Sequence, residues 1–371
     1  MPLSDRPKML ALALVFIAAA IVIVEEPWAA KSSVPPPPAG LPPSEEQYPA
    51  AADFGGATGW VGSAPVDLVA LRGKVVLVDF WTYSCINCIH TLPYVEGWYE
   101  RYKDDGFVVV GIHTPEFRFE HDAANIADAR ERYHLTYPVA QDNDYAIWNA
   151  YHNRFWPAKY LVDPYGRIRD FHAGEGGYAA FEAHIRDLLT EAGHAPTDAP
   201  MGESAGGMRH NDRTPELYAA AAQGIERVAI GNPEGYHPGR TITYARPSDI
   251  AADRIYLVGT WQNNDQDVVA AGADTLVLVR FKAGAGNFVA GGGEGTCATI
   301  LLDGAPIPRS LAAHDVVFPA NASACIPLDG PRSYDFFAGP YGEHVVELQV
   351  PQGFALFTFD FSDEAAPGGT A

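Results

Sequence analysis

The chain has 371 residues, enough for two domains with separate cores, and its 47% hydrophobic and 19% charged content is that of ordinary globular protein. A formal net charge of -21 argues against nucleic acid as a partner, because a polyanion would be repelled over most of the surface. The four cysteines stand at 85, 88, 297 and 325, one close pair and one widely spaced pair.

In chain order, the first signal concerns the compartment. Arg6 and Lys8 precede an unbroken run of sixteen apolar residues, 9–24, and Glu25 and Glu26 follow. That charge order keeps the N-terminus inside and exports everything downstream. The small-x-small cleavage pattern is poor, since Pro27 and Trp28 stand where small residues are wanted. Residues 1–26 are therefore expected to form an inner-membrane anchor facing the periplasm, with a cleaved signal peptide as the alternative. Residues 27–54, which contain Pro35–Pro38, Pro42 and Pro43, read as an extended spacer of roughly 3 Å per residue.

From 55 to 195 apolar strands alternate with helical segments. Strands are expected at 75–81, 107–113 and 137–139, and helices at 85–103 (interrupted at Pro93), 117–133 and 145–152. A hairpin follows, with strands at 159–162 and 167–171 across Asp163-Pro164-Tyr165-Gly166, and a helix at 178–192 closes the unit. This order predicts an α/β sheet covered on both faces. Residues 196–214, poor in hydrophobes, read as a linker. Beyond them short β-type runs recur at 241–244, 254–259, 275–281, 299–302, 315–318, 333–337, 344–350 and 355–361, between turn residues. Residues 215–363 are expected as an all-β sandwich, jelly-roll-like, with a flexible tail at 364–371.

The chemistry concentrates in residues 74–90, KVVLVDFWTYSCINCIH. A strand that delivers Cys-x-x-Cys onto the first turn of a helix is a thiol–disulfide exchange site. The helix N-terminus favours a thiolate, so Cys85 is the expected nucleophile and Cys88 the resolving thiol one turn inside. A zinc site needs two further ligands; His90 and His113 are at hand, but no clean ligand pair is present. Thr82-Tyr83-Ser84-Cys85 is also a Thr-x-x-Cys, yet the proline of a peroxidase pattern is replaced by Val78. Neither cofactor nor metal is expected. Cys297 and Cys325 read as a structural disulfide of an exported domain, the alternatives being a second redox pair or two separate thiols.

The motif Val78-Asp79-Phe80-Trp81, three residues, Cys-x-x-Cys, then Pro93, resembles the active-site strand and helix of the thioredoxin fold. Ser84 departs from it, standing where thioredoxin has tryptophan. Residues 154–163, RFWPAKYLVD, resemble the loop that carries the family's cis-proline, which would be Pro157 facing the cysteines. The spacing from Cys85 to Pro157 exceeds a bare thioredoxin's. The surplus, about 117–142, matches the extra helix and strand of the TlpA-type branch. WTYSCINC, GIHTPEF, FWPAKYLVD and GEGGY together look like the soluble part of DipZ-type proteins, over roughly residues 55–363. In those proteins a thioredoxin-like domain precedes a β-sandwich resembling a carbohydrate-binding module. They also carry a multi-helix, CcdA-like membrane domain, whereas this chain has one apolar segment at most. The resemblance therefore implies a separate CcdA-like electron donor, protein thiol or disulfide substrates, and a glycan as candidate ligand of the sandwich.

The resemblance also assigns candidate residues. Asp79 matches the buried acid behind the second cysteine and could take the Cys88 proton; the plainer reading is a polar residue at a sheet end. Glu116 is a second candidate acid, or a helix cap. Trp156 would flank the sulfurs unless it is core, Trp81 and Tyr83 would shape the rim, and His90 is structural. Trp261, Tyr256, Phe281 and Tyr334 could form a sugar-stacking face or simply fill the core. The expected activity is thiol–disulfide exchange in the reductase direction, with oxidase or isomerase action, or a glycan- or partner-binding role centred on the sandwich, as alternatives.

Overall fold

The computed structural model describes residues 48–202 and 210–364. The expected membrane segment, residues 27–47 of the proline-rich spacer, residues 203–209 of the 196–214 linker and all but the first residue of the C-terminal tail lie outside them. Among the described residues no helix is long and apolar enough to cross a membrane.

The first domain runs β1 (Gly59–Val61), β2 (Val75–Trp81), α1 (Ile86–Tyr102), β3 (Phe107–His113), α2 (Ala123–Arg132), β4 (Val139–Gln141), α3 (Ala146–Ala150), β5 (Ala158–Val162), β6 (Ile168–Ala173) and α4 (Tyr178–Glu191). Its six-stranded sheet has the order β1-β4-β3-β2-β5-β6, with β2, β3 and β4 parallel and the others antiparallel to their neighbours. Every residue of β2 and β3 is buried, as expected for central strands covered on both faces. Side chains alternate across β2: Val75, Leu77 and Trp81 join the core formed with α1, α2 and α4. Phe80 points the other way, into an edge-on cluster with Trp148, Tyr151 and Tyr160.

Three local expectations are corrected. Helix α1 runs straight through Pro93. Burial of Leu92, Val95 and Trp98 against the sheet outweighs the one backbone hydrogen bond that proline forfeits. The single helix expected over 117–133 is a 3-10 turn, Arg118–His121, followed by α2 with Asp122 as its N-cap. The break follows from Glu120, which turns inward and accepts the N–H groups of Glu116 and Phe117. Residues 48–54, assigned to the spacer by composition, lie on the β-hairpin: Ile168 N–H bonds to Pro49, Ala51 N–H to Gly166, and Phe54 is buried.

The second domain comprises β7 (Leu217–Tyr218), β8 (Thr241–Tyr244), β9 (Ile255–Asn263), β10 (Val268–Ala270), β11 (Thr275–Gly291), β12 (Cys297–Leu302), β13 (Ala305–Pro306), β14 (Cys325–Pro327), β15 (Arg332–Val350) and β16 (Ala355–Ser362). Each of these strands pairs with its neighbouring strands antiparallel, along the path β13-β12-β15-β11-β16-β10-β9-β8, with β14 on β12 and β7 on β16. The 17-residue β11 pairs with β9 through its first half and with β16 through its second. Because β9, β10 and β16 also pair in turn, the strands close a circuit around one apolar core. The runs expected at 333–337 and 344–350 are one strand, β15, and register shifts opposite Ala283–Asn287 let it bend without stopping. Gly284 permits this bend, since a Cβ there would collide with the Asp363 carbonyl. The run at 315–318 is not a strand; it touches β14 through the single bridge Val317–Cys325.

Cys297 and Cys325 form a disulfide between β12 and β14. Trp261, Phe281 and Tyr334 have no exposed surface and Tyr256 is 7% exposed, so these four belong to the core and form no sugar-stacking face. The two domains meet where Phe117 and Phe119 pack on Phe357, with ring centroids 5.1 and 4.7 Å away. Replacing both Cys297 and Cys325 by Ser removes a cross-link spanning a separation of 28 residues. The expected loss is about 3–4 kcal/mol of stability on the chain-entropy account, read as a lower urea midpoint.

Candidate active site

Strand β2 ends in the core, and the chain then turns through Thr82, Tyr83 and Ser84, all buried, into α1. Cys85 is the N-cap of α1, in extended geometry, and its Sγ accepts the Cys88 N–H at 3.3 Å. Cys88, one turn on, is fully buried, while Cys85 keeps part of its surface; both are free thiols. The helix terminus alone would lower the Cys85 pKa. Here it is raised, first by the hydrogen bond with the Cys88 thiol, then by burial and by the charges of Cys88 and Glu116, against the single pull of the Cys88 N–H.

Asp79 shares the α1 side of β2 with Leu77 and Trp81, and both of its carboxylate oxygens lack a hydrogen-bond partner among the described residues. Burial lifts its pKa from 3.8 to about 6, opposed by Lys159. Lys159 is Asp79's direct cross-strand neighbour on β5, is 1% exposed, and its Nζ also lacks a hydrogen-bond partner among the described residues. Burial lowers its pKa, while Asp79 and the two cysteines resist. Sequence reasoning missed Lys159. Its one signal was a lysine inside an apolar strand two residues after Pro157.

The Trp156–Pro157 peptide is cis and leads directly into β5. Trp156 is half-buried, packs on Trp148 at 4.2 Å, and donates its indole N–H to the Thr114 carbonyl at 3.1 Å. It borders the same core cluster as Cys85. Trp81, expected at the rim, is fully buried and meets His113 edge-on, so it offers no surface to a partner. Tyr83 is likewise buried, stacked on His113 at 5.4 Å. His113 bonds to Thr82 Oγ1 at 3.2 Å, and burial pushes its pKa down to about 3, so the ring is neutral at physiological pH. His90 is paired with Glu175 at 3.0 Å. Among the described residues no group of three His, Cys, Asp or Glu is arranged to hold a metal ion.

A second acid approaches from the β3 side. Glu120, fully buried, accepts from Ser84 Oγ at 2.5 Å and from the N–H groups of Glu116 and Phe117. Glu116 Oε1 accepts the Tyr218 hydroxyl of the second domain at 2.6 Å. Burial first, then the charge of Glu216, lifts the Glu116 pKa to about 8. Alongside, a cavity of about 810 Å³ opens between the domains, lined by Ile86, Ile89 and Pro93 of α1 and by Asn287, Asp335 and Phe337 opposite. That volume is in the range of ligand-sized clefts.

Fold and site define the class: the first domain is that of a thioredoxin-like thiol–disulfide oxidoreductase. The AhpC/TSA family matches residues 50–171 and the thioredoxin-like C-terminal domain matches 214–362, so each of the two domains has its own family match. It is 35% identical over 327 residues to Protein DipZ of Mycobacterium bovis, and equally to that of Mycobacterium tuberculosis. The match takes in 85% of this chain and 43% of each relative, so the chain spans less than half their length. Over 136 residues it is 29% identical to the thiol-disulfide oxidoreductase YkuV of Bacillus subtilis, 37% of this chain and 91% of that protein. Among solved structures, a thioredoxin-like protein in the oxidized form aligns at 30% identity and a TM-score of 0.34, covering 36% of this chain and 90% of that one.

The Asp79 shift carries a pH signature. An acid whose folded pKa is raised binds a proton more tightly when folded, so its contribution to stability is present below pH 3.8 and lost as pH rises through about 6. Asp79→Asn is therefore expected to gain on wild type by about 2–3 kcal/mol between those limits and to level off above them. Urea unfolding of both proteins across that range checks it.

Proposed function

We propose that this protein is an extracytoplasmic reductase of protein disulfides. One observation carries the reading: a part-exposed Cys85 caps α1 directly above a fully buried Cys88, the arrangement of an attacking and a resolving sulfur. The Cys85 thiolate attacks a partner disulfide, forming a mixed disulfide and expelling one partner sulfur as a thiolate, which takes a proton from solvent. Asp79, ionised above about pH 6, takes the Cys88 proton, and Cys88 attacks the Cys85 sulfur. The partner leaves as a dithiol and Cys85–Cys88 is oxidised, two electrons having passed to the partner. Lys159 beside Asp79 offsets its charge before the proton arrives. Pro157 and Trp156 form the wall against which a partner backbone would lie, and the cavity beside Ile86 gives room for the residues flanking its cysteine.

Support for the direction lies in the Ile86-Asn87 dipeptide, which lacks the histidine of strongly oxidising members, and in the likeness to DipZ. The return of two electrons would fall to a separate CcdA-like membrane donor. The N-terminal charge order and the Cys297–Cys325 disulfide both favour an oxidising compartment outside the cytoplasm, with residues 1–26 as the anchor. The glycan-binding reading loses its proposed contact surface to the core of the second domain.

With insulin disulfides as the substrate, Cys85→Ser is expected to abolish turnover. Cys88→Ser should stall as a mixed disulfide visible on a non-reducing gel. Asp79→Asn should slow release from that intermediate by about 100-fold while leaving the first attack intact. Turnover by Cys85→Ser would remove the basis of the assignment.

A further inference from the structure

One polar contact of the second domain reaches towards the redox site. Tyr218, on β7, donates its hydroxyl to Glu116 Oε1 at 2.6 Å. Beside that bond Phe117, Tyr218, Val289 and Phe357 form a single buried cluster drawn from both domains, so the phenol ring is packed in place. On its other side the segment is tied to the residue before Cys85. Ser84 Oγ donates to Glu120 Oε1 at 2.5 Å, and Glu120 Oε2 holds the Glu116 N–H at 2.5 Å and the Phe117 N–H at 2.8 Å. A continuous path of hydrogen bonds thus runs from the start of the thiol motif to a phenol of the other domain.

We propose that Tyr218 is a positioning residue of the redox site, contributed by the β domain: its hydroxyl holds the Glu116 carboxyl, and through Glu120 the Ser84 hydroxyl at the entrance to the thiol motif, so that domain docking tunes the reactivity of Cys85. The inference rests on Cys85 being the nucleophile. Glu116 is faced by Glu120 and Tyr145 from its own domain and by Glu216, Tyr218, Arg227 and Asp360 from the second. The acids among these groups, together with burial, oppose ionisation of Glu116, and Arg227 and the Tyr218 hydroxyl favour it. Once ionised, Glu116 opposes the thiolate at Cys85. Tyr218 therefore acts on the sulfur at one remove: it favours the ionised form of Glu116, whose charge above about pH 8 opposes the thiolate at Cys85.

The test is the pH profile of Cys85 alkylation by iodoacetamide in the full chain carrying Cys88→Ser, where Cys85 is the one cysteine outside the Cys297–Cys325 bond. Glu116→Gln removes the charge and should move the profile to lower pH. Tyr218→Phe keeps the ring in its cluster and removes only the hydroxyl, so Glu116 holds its proton to higher pH. Its profile should move the same way, with alkylation about three- to tenfold faster near pH 8. The double variant should follow Glu116→Gln alone, because the hydroxyl acts through the carboxylate. An unchanged profile for Tyr218→Phe, or a shift that persists in full when Glu116→Gln is already present, overturns the inference. Insulin reduction by the otherwise native chain separates the two levels: if it stands while the profile does not move, the positioning role alone fails. If wild type neither reduces insulin nor alkylates at Cys85, both readings fail together.

Discussion

The structure turns on a buried strand that ends in a sulfur. All seven residues of β2 lie in the core between β3 and β5, which fixes where the strand stops and where α1 begins. The stop leaves Cys85 at a helix N-terminus with part of its surface open, and the helical turn then places Cys88 underneath in the apolar core. A flexible loop would satisfy the cysteine spacing equally well, but it would neither expose one sulfur nor bury the other. The difference between the two sulfurs, on which exchange chemistry depends, is a product of sheet packing.

Two buried carboxyls belong to this part of the fold. Asp79 lies on β2 itself, with pKa about 6, and Glu116 follows β3, with pKa about 8. In both, burial is the leading cause, and in both a neighbour softens it: Lys159 by its charge, Tyr218 by its hydroxyl. Separate surroundings thus bring two ordinary acids into the range where protons move near neutral pH. The first sits wholly within the redox domain. The second depends on a contact between domains, which gives the β domain a chemical part without requiring a ligand of its own.

The redox half was readable in the sequence because its determinants are local. Apolar strands, a Cys-x-x-Cys at a helix start and a Trp-Pro before a strand each occupy a few consecutive residues. Polar residues made interior by tertiary contacts were not readable. Glu120 looks like one charge among many in a polar helix, and nothing nearby in sequence shows that Ser84 and two backbone N–H groups await it. Lys159 becomes notable only when its register opposite Asp79 is known. In the second domain β11 and β15 continue through Gly284, Gly339 and Pro340, residues that normally end strands, because the two strands pair with each other before and after the irregularity these residues form. The aromatics that looked suited to a sugar face were drawn inward by the same closure.

The midpoint potential of the Cys85–Cys88 pair, measured on the full chain equilibrated against dithiothreitol and glutathione buffers, bears most directly on what this protein does. A reductase predicts a value at or below about -230 mV. A value above about -150 mV, or a pair that never cycles between dithiol and disulfide, would contradict it.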